Sequence, residues 1–148
     1  MIIAGPPRSP VEIPRAVARI ARDLPVRAIW QNEYGGLTFE VGAPDGFFVK
    51  WTPKGSGQDL GPEAARMAWA GAFTTVPRVL DHGFDEHGSW LVTTRIPGES
   101  AVSERWRHRP DSAVRAIGRG LRAFHDVLPL YACPFSWTFA VRFAGARR

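Results

Sequence analysis

Apolar residues along the chain follow two spacings, one typical of helices and the other typical of strands. They recur at helical intervals over residues 11–24, 60–72 and 109–128, which predicts three helices. Short runs rich in aromatic and β-branched residues predict five strands, at residues 28–32, 37–41, 46–51, 76–82 and 89–94. Glycine-containing turns separate the first three strands, so we expect them to form an antiparallel meander.

The order of these elements predicts an α+β fold, because the strands come first and the longest helix follows them. We predict an N-terminal helical segment at residues 1–27 and a sheet lobe with one inserted helix at residues 28–96. A helical part begins at residue 97 and runs to residue 148. Pro97 and Gly98 mark this last boundary, since both residue types interrupt regular structure.

The composition is that of a folded protein. Apolar residues make up 45% of the 148, and 6 Trp and 9 Phe supply buriable aromatic surface, which excludes a disordered chain. Cys133 is the single cysteine, which excludes an intramolecular disulfide and a thiol-rich zinc site. Polar residues interrupt every apolar run before it reaches the length needed to span a membrane. The start of the chain lacks a signal-peptide pattern. We expect a cytoplasmic protein without a membrane partner.

The net charge of +5 invites a nucleic-acid interpretation, which the distribution of charges does not favour. Lys50 and Lys54 are the only lysines, and the arginines are dispersed among acidic residues. The sequence also shows no helix-turn-helix, zinc-finger or RNA-binding pattern. We therefore expect no nucleic-acid partner.

Lys50 on the third predicted strand and Glu63 on the helix after it are the candidate functional pair. In the nucleotide lobe of protein kinases, a lysine on the third strand contacts the ATP phosphates, and a carboxylate on the following helix holds it. Two ordinary explanations stay open. Lys50 could face solvent from an edge strand, and Glu63 could be a first-turn charge favoured by the helix dipole.

An ordered set of segments extends this comparison along most of the chain. It includes Trp-Gln-Asn-Glu-Tyr-Gly-Gly from residue 30, Val-Pro-Arg-Val-Leu-Asp-His-Gly from residue 76, and Cys-Pro-Phe from residue 133. Shorter matches lie at residues 49–51, 59–60, 63–64, 90–93 and 121–126. From about residue 30 to residue 147, the sequence resembles the aminoglycoside phosphotransferase family and is most similar to its 3′-phosphotransferase branch.

The resemblance implies a protein-kinase-like lobe, with a five-stranded antiparallel sheet plus a helix, followed by the first helices of a helical substrate lobe. It implies ATP, with Mg²⁺, as the source of a phosphoryl group for a hydroxyl of an aminoglycoside antibiotic. In that role Lys50 contacts the phosphates and Glu63 orients Lys50. The turn residues Glu33, Tyr34, Gly35, Gly36 and Leu37 would cover the phosphates, and the backbone of Thr94 and Ile96 would bind the adenine edge.

The family's catalytic loop has no match in the 148 residues. It carries His-Gly-Asp with Asn five residues on, and an Asp-x-Gly that binds magnesium follows it; neither pattern occurs after Arg109. Five residues after Asp126, where the family has Asn, this sequence has Tyr131. The Asp-x-Gly at residues 81–83 lies before the boundary at Pro97 and Gly98, whereas the family's lies after its catalytic loop. We therefore assign no catalytic or metal residue, and expect an incomplete helical lobe and little or no activity. The alternatives are a nucleotide-binding or complementing fragment, or an inactive remnant of a resistance gene.

Apolar side chains without a covering partner are expected in the helical part. They are the helix stripe Val114, Ile117, Leu121 and Phe124, and the tail residues Trp137, Phe139 and Phe143. An exposed apolar patch of this kind favours association between molecules. Self-association through the helix face is the resulting prediction.

Overall fold

The helices and strands follow one another in the predicted order, with one additional short helix. A computed structural model describes residues 4–136. The helices are α1 (Arg15–Ala21), α2 (Gly61–Ala70), α3 (Glu104–Arg107) and α4 (Pro110–Val127), and a 3-10 turn spans Leu130–Ala132. The strands are β1 (Val26–Gln31), β2 (Leu37–Val41), β3 (Phe47–Pro53), β4 (Val79–Phe84) and β5 (Gly88–Thr94). The predicted α+β class is confirmed.

The five strands form one antiparallel sheet in the order β1-β2-β3-β5-β4. The first three strands make the predicted meander. Because β5 lies between β3 and β4, β3 is a central strand, where Lys50 is in register with Thr38 of β2 and Leu91 of β5. The interpretation of Lys50 as an edge-strand residue is therefore wrong.

The turn between β4 and β5 is shorter than the sequence pattern predicts. The Asp85 carboxylate accepts hydrogen bonds from the amides of His87, at 2.8 Å, and Gly88, at 3.1 Å. These bonds close the turn and let β4 run on to Phe84, and the bond from His87 lowers the pKa of Asp85. The other end of β4 begins at Val79 and not at residue 76, since Pro77 has no amide hydrogen to offer a sheet.

Each face of the sheet packs against a helix, because successive side chains of a strand point to opposite faces. Helix α1 covers one face and helix α2 covers the other. The α1-side core consists of Val17, Ala21, Leu37, Phe39, Val41, Val49 and Val92, and the α2-side core of Leu60, Ala64 and Leu91. Burial of a large apolar side chain of this kind stabilises the fold by about 1.5–3 kcal/mol.

Helix α1 is shorter than the predicted helix at residues 11–24. Pro14 directly before it has an extended backbone, with ψ of 144°, so the helix begins at Arg15. Arg22 has φ of +52°, in the left-handed region, and this ends the helix before Pro25 is reached. What remains is one buried face, formed by Ala16, Val17 and Ala21.

A second compact unit begins at Gly98, after the first ends at Pro97. Helix α4 matches its predicted span to within one residue at each end, whereas the four-residue α3 was not predicted. No residue of α4 is buried, and Ile117 and Leu121 are about half exposed. Self-association through this face stays a prediction, and the tail residues Trp137, Phe139 and Phe143 lie outside the described residues. None of the helices within residues 4–136 is long and apolar enough to cross a membrane.

Candidate functional site

Lys50 and Glu63 form an ion pair between the sheet and α2, in which both carboxylate oxygens contact the ammonium group. Lys50 Nζ lies 3.0 Å from Oε1 and 2.7 Å from Oε2 of Glu63. The two side chains are 39% and 34% exposed, so water screens the attraction and the pair contributes on the order of 1 kcal/mol or less to stability. The pair is better suited to holding an ammonium group in one place than to stabilising the fold. The helix dipole alone therefore does not explain why a glutamate occupies position 63, since its carboxylate also binds Lys50.

The local sequence places Glu63 at the start of α2. Pro62 lies in the first turn of the helix, where its missing amide hydrogen is no loss. The Asp59 carboxylate accepts a hydrogen bond from the Gly61 amide at 2.9 Å and so shapes the entry to the helix. Ala64, next to Glu63, is buried against the sheet, and this fixes the direction of the first turn.

A cavity of about 240 Å³ lies beside this ion pair on the α2 face of the sheet. Its walls come from all the strands except β4, and from α2. They are mostly apolar or threonine side chains, and the residues that line it are Ile29, Thr38, Phe48, Lys50, Glu63, Met67, Leu91 and Thr93. An apolar slot with one fixed cation at its side fits a flat apolar group attached to an anion.

Phe48 gives this cavity a flat wall, and the sequence analysis did not single it out. It precedes Lys50 by two positions on β3, so strand alternation places both side chains on the same face, about 7 Å apart along the strand. The guanidinium carbon of Arg95 lies 5.5 Å from the centre of the Phe48 ring, within the range of a cation–π contact. The two-residue spacing from Lys50 is the signal that could have identified Phe48.

Glu40 anchors the Arg95 side chain at this end of the site. Glu40 is buried, and it lies opposite Arg27 on β1 and Phe48 on β3. Arg27 Nε donates to Glu40 Oε2 at 3.1 Å, and Arg95 donates to Oε1. The hydrogen bond from Arg27, followed by that from Arg95, lowers the pKa of Glu40 below its ordinary value of 4.5.

The turn between β1 and β2 contains the predicted residues Glu33 to Leu37. Glu33 and Tyr34 are exposed at its tip, whereas Leu37 begins β2 with its side chain in the α1-side core, on the face opposite the cavity. Gly35 has φ of +80°, which favours glycine, and a β-carbon on Gly36 would lie only 2.5 Å from the Asn32 side-chain nitrogen. This turn therefore requires the Gly-Gly pair. The turn connects β1 and β2, which both contribute side chains to the cavity.

The predicted adenine contacts lie at the other end of the cavity, after Thr93. The Thr94 amide already donates to the Arg78 carbonyl at 2.9 Å, so only its carbonyl remains as the predicted contact. Within residues 4–136, the Ile96 amide donates no hydrogen bond. The structure thus orders the predicted residues along the sheet, from Ile96 past Phe48 to Lys50 and the Gly-Gly turn.

Comparison with known proteins finds a matching family. The model of the phosphotransferase enzyme family APH matches residues 26–148. The chain belongs to this family. The match covers the whole sheet, α2 and the helices that follow, so the family's protein-kinase-like fold applies to the five-stranded lobe.

Named relatives are aminoglycoside 3′-phosphotransferases. That of Streptomyces fradiae is 37% identical over 97 residues, 65% of this chain and 36% of the relative. That of Streptomyces ribosidificus is 41% identical over 86 residues, 57% and 32% of the two chains. The Escherichia coli protein is 30% identical over 110 residues, 72% and 40%. The chain therefore spans roughly a third of the length of the curated relatives it matches.

Family members use ATP together with a divalent metal, and the site fits the first of these better than the second. The apolar cavity, the fixed Lys50 ammonium and the glycine turn are groups that suit a nucleotide. For the metal, no three His, Cys, Asp or Glu side chains converge anywhere in the part of the chain that the structure describes. No metal ligand is assigned among these residues.

A larger cavity, of about 540 Å³, lies on the α1 face of the sheet and is partly lined by Trp51, Asp85 and His87. Glu12 and Asp85 are the carboxylates in its lining, and neither is paired with a lysine as Glu63 is. Asp85 already accepts hydrogen bonds from two amides of its own turn. No family-like pair of Lys and Glu lines this cavity among the described residues, so the α2 face is the better candidate.

Proposed function

We propose that the chain binds ATP on the α2 face of its sheet and forms the nucleotide site of an aminoglycoside phosphotransferase. The observation that carries this proposal is the Lys50–Glu63 ion pair at the side of an apolar cavity. Family membership and the names of the relatives support it. A structural ion pair would need neither the adjoining cavity nor a ring two residues before the lysine.

Each end of the cavity suits one part of the nucleotide. The adenine ring would lie against Phe48, with the Thr94 carbonyl and the Ile96 amide at its polar edge. The triphosphate would extend toward Lys50 and be covered by the turn at residues 33–36. Glu63 keeps the Lys50 ammonium in one position, so the charge is in place before the anion arrives and less ordering is needed on binding.

The reaction we propose for the site is transfer of the γ-phosphoryl group to a hydroxyl oxygen of an aminoglycoside. The bond from the γ-phosphorus to the β,γ-bridging oxygen breaks, a bond to the hydroxyl oxygen forms, and ADP leaves. The hydroxyl proton needs a base, and the 148 residues contain no His-Gly-Asp sequence to supply one in the family's manner. We therefore expect nucleotide binding by this chain, with little or no turnover of its own.

A nucleotide-binding fragment that complements a second polypeptide is the alternative form of the same proposal. It needs only the groups that lie together on the α2 face of the sheet, the Lys50–Glu63 ion pair and the cavity beside it. An inactive remnant would instead give no ligand-dependent stabilisation. Binding measurements on the purified chain separate these cases.

The test compares two lysine variants by thermal unfolding with and without ATP and Mg²⁺. A ligand that binds only the folded state stabilises it by RT ln(1 + [L]/Kd), about 2.7 kcal/mol at a hundredfold excess over Kd. We expect the unaltered chain and Lys54→Ala to show the same rise in melting temperature. Lys54 is the matched control, because it is the other lysine and is exposed in the loop after β3.

Lys50→Ala should lose most of that rise, because it removes the fixed cation from the cavity. Without ligand its melting temperature should stay close to that of the unaltered chain, since the half-exposed ion pair adds little stability. An equal ATP-dependent rise in Lys50→Ala and Lys54→Ala would refute the assignment of the site. No rise in any of the three proteins would refute nucleotide binding altogether.

A further inference from the structure

Asn32 directly follows β1 and is the centre of a hydrogen-bond network, but it is not among the residues proposed to contact the nucleotide. We infer that Asn32 is a positioning residue for the triphosphate: its side chain shapes the Gly-Gly turn and ties that turn to β3, the strand that carries Lys50. The inference rests on the proposed nucleotide site. It concerns what keeps the Gly-Gly turn in position. Asn32 itself contacts neither the reacting atoms nor the nucleotide.

The Asn32 side-chain oxygen organises the turn from within. Oδ1 accepts hydrogen bonds from the Gly36 amide at 2.8 Å and the Tyr34 amide at 3.0 Å. The Asn32 amide also donates to the Gly36 carbonyl at 2.9 Å, which closes the turn at its base. One side chain thus determines the direction of two amides in a segment whose tip is exposed.

The Asn32 side-chain nitrogen connects the turn to a different part of the chain. Nδ2 donates to Gln58 Oε1 at 3.0 Å, across 26 positions of sequence. The Gln58 carbonyl in turn accepts a hydrogen bond from Thr52 Oγ1 at 3.0 Å. Thr52 is 1% exposed and lies on β3, two residues after Lys50, so both share one face of the strand.

An unbroken path of side-chain and backbone groups therefore runs from the turn through Asn32 and Gln58 to Thr52. Its far end is buried in the strand that holds Lys50, which gives the turn a fixed register relative to the lysine. Asparagine suits the central position, because its oxygen accepts two amides while its nitrogen donates to Gln58. Aspartate lacks the donor and serine is shorter, so neither reproduces the full set of contacts.

Gly36 shows how closely the Asn32 side chain fits. A β-carbon at residue 36 would lie 2.5 Å from Nδ2 and 3.0 Å from Oδ1 of Asn32. The glycine therefore leaves room for the Asn32 amide group in the position that makes these hydrogen bonds. The turn glycine and the asparagine act as one unit, since any side chain at residue 36 displaces Asn32.

The consequence for binding is selective. The turn lies at the Lys50 end of the cavity, whereas Phe48 and Ile96 lie toward the other end. Loosening the turn should weaken the hold on phosphates and leave the hold on the base intact. Asn32 variants should therefore distinguish ATP from adenosine, whereas a variant that merely weakens the fold would affect both ligands.

The experiment measures ATP with Mg²⁺ and adenosine by calorimetry on the full 148-residue chain. We expect Asn32→Ala to bind ATP about tenfold more weakly, as the loss of two turn hydrogen bonds implies, and adenosine within twofold of the unaltered chain. Gln31→Ala is the matched control. Gln31 is the neighbouring amide side chain, but it lines the cavity on the opposite face and should change neither affinity.

Gln58 variants test the path itself. Gln58→Leu removes the acceptor for Asn32 and should weaken ATP binding about threefold, whereas Gln58→Glu keeps an acceptor oxygen and should stay within twofold. In the Asn32→Ala background, Gln58→Leu should add no further loss, because both act through one contact. Because Gln58 is in a loop, its variants keep the test decisive should Asn32→Ala fold poorly.

Three results would overturn the inference. Unchanged ATP affinity in both Asn32→Ala and Gln58→Leu would show that the turn does not need this network. Equal losses for ATP and adenosine would assign Asn32 a general structural role. If the unaltered chain binds no ATP, the proposed function itself is wrong. If the unaltered chain binds ATP and Asn32→Ala binds it equally well, the proposed function stands and only the role of Asn32 is wrong.

Discussion

Glu40 offers a direct test of electrostatic stabilisation in the sheet lobe. It is 7% exposed, and both of its carboxylate oxygens accept hydrogen bonds from arginine. Glu40→Gln keeps the shape, removes the charge and turns an amide NH₂ group toward a guanidinium. Hydrogen bonds to charged groups contribute about 1.5–3 kcal/mol each. Because Arg27 and Arg95 are 73% and 38% exposed, water screens both contacts, and we expect a total loss of about 2 kcal/mol at pH 7.

The pH dependence of this loss follows from the lowered pKa of Glu40. The hydrogen bonds from Arg27 and then Arg95 hold that pKa below the ordinary value of 4.5 in the folded state. A carboxylate of this kind contributes its full stability above its unfolded pKa and loses it as the pH falls through the folded pKa. The difference between the unaltered chain and Glu40→Gln should therefore be constant near neutral pH and shrink below about pH 4.5.

Urea unfolding followed by tryptophan fluorescence measures this difference, since Trp51 and Trp90 pack against the α1-side core. Glu12→Gln is the control. Glu12 is exposed, and within residues 4–136 it makes no hydrogen bond or ion pair, so its free energy of unfolding should change by less than about 0.5 kcal/mol. Equal stability of Glu40→Gln and the unaltered chain at pH 7 would refute the reasoning. So would a difference that persists undiminished at pH 3.

Two further predictions concern the base end of the cavity and helix α4. Phe48→Leu keeps an apolar wall but loses the flat ring, so adenosine and ATP should both bind about three- to tenfold more weakly by calorimetry; unchanged affinities would place the base elsewhere. The double variant Ile117→Asp/Leu121→Asp should lower the average mass in sedimentation equilibrium, since it charges the exposed face of α4. Arg119→Asp on the opposite side of the helix should leave that mass unchanged, and an unaltered chain that is monomeric at all concentrations would contradict self-association.

The strands were predictable because their signals are local. All except β4 contain consecutive β-branched or aromatic residues between turn residues, and β2 agrees with its predicted span at both ends. The juxtaposition of Lys50 and Glu63 could also be proposed in advance, since 13 positions separate a central-strand residue from the first turn of the next helix. Their residue types and the order of elements carried that information.

The contacts of Glu40 could not be predicted from any local pattern. Its partners lie 13 positions before it and 55 positions after it, and strand order alone brings them together. By sequence, Glu40 is simply the polar residue of an alternating strand. Only when β5 lies next to β3 does Arg95 come within reach of it.

Boundary errors had equally specific causes. A helical hydrophobic pattern continues past Ala21, but the left-handed backbone of Arg22 ends α1. The turn after Phe84 looks long in sequence because it contains Gly, Asp and Glu. The side chain of Asp85 shortens it by accepting two amides of its own turn. A single side-chain contact of this kind leaves no periodic trace in a sequence.

Strand β3 shows why stability and proposed ligand binding can change independently in this lobe. Val49 and Trp51 face the α1 side, where Val49 is fully buried and Trp51 packs against the core. Phe48 and Lys50 face the α2 side and line the cavity. Because side chains alternate along a strand, the two sets cannot exchange faces without a shift in register, and that shift would place Lys50 in the apolar core. The burial of Val49 and its neighbours thus keeps Lys50 directed at Glu63, so the α1-side core selects the register on which the candidate site depends.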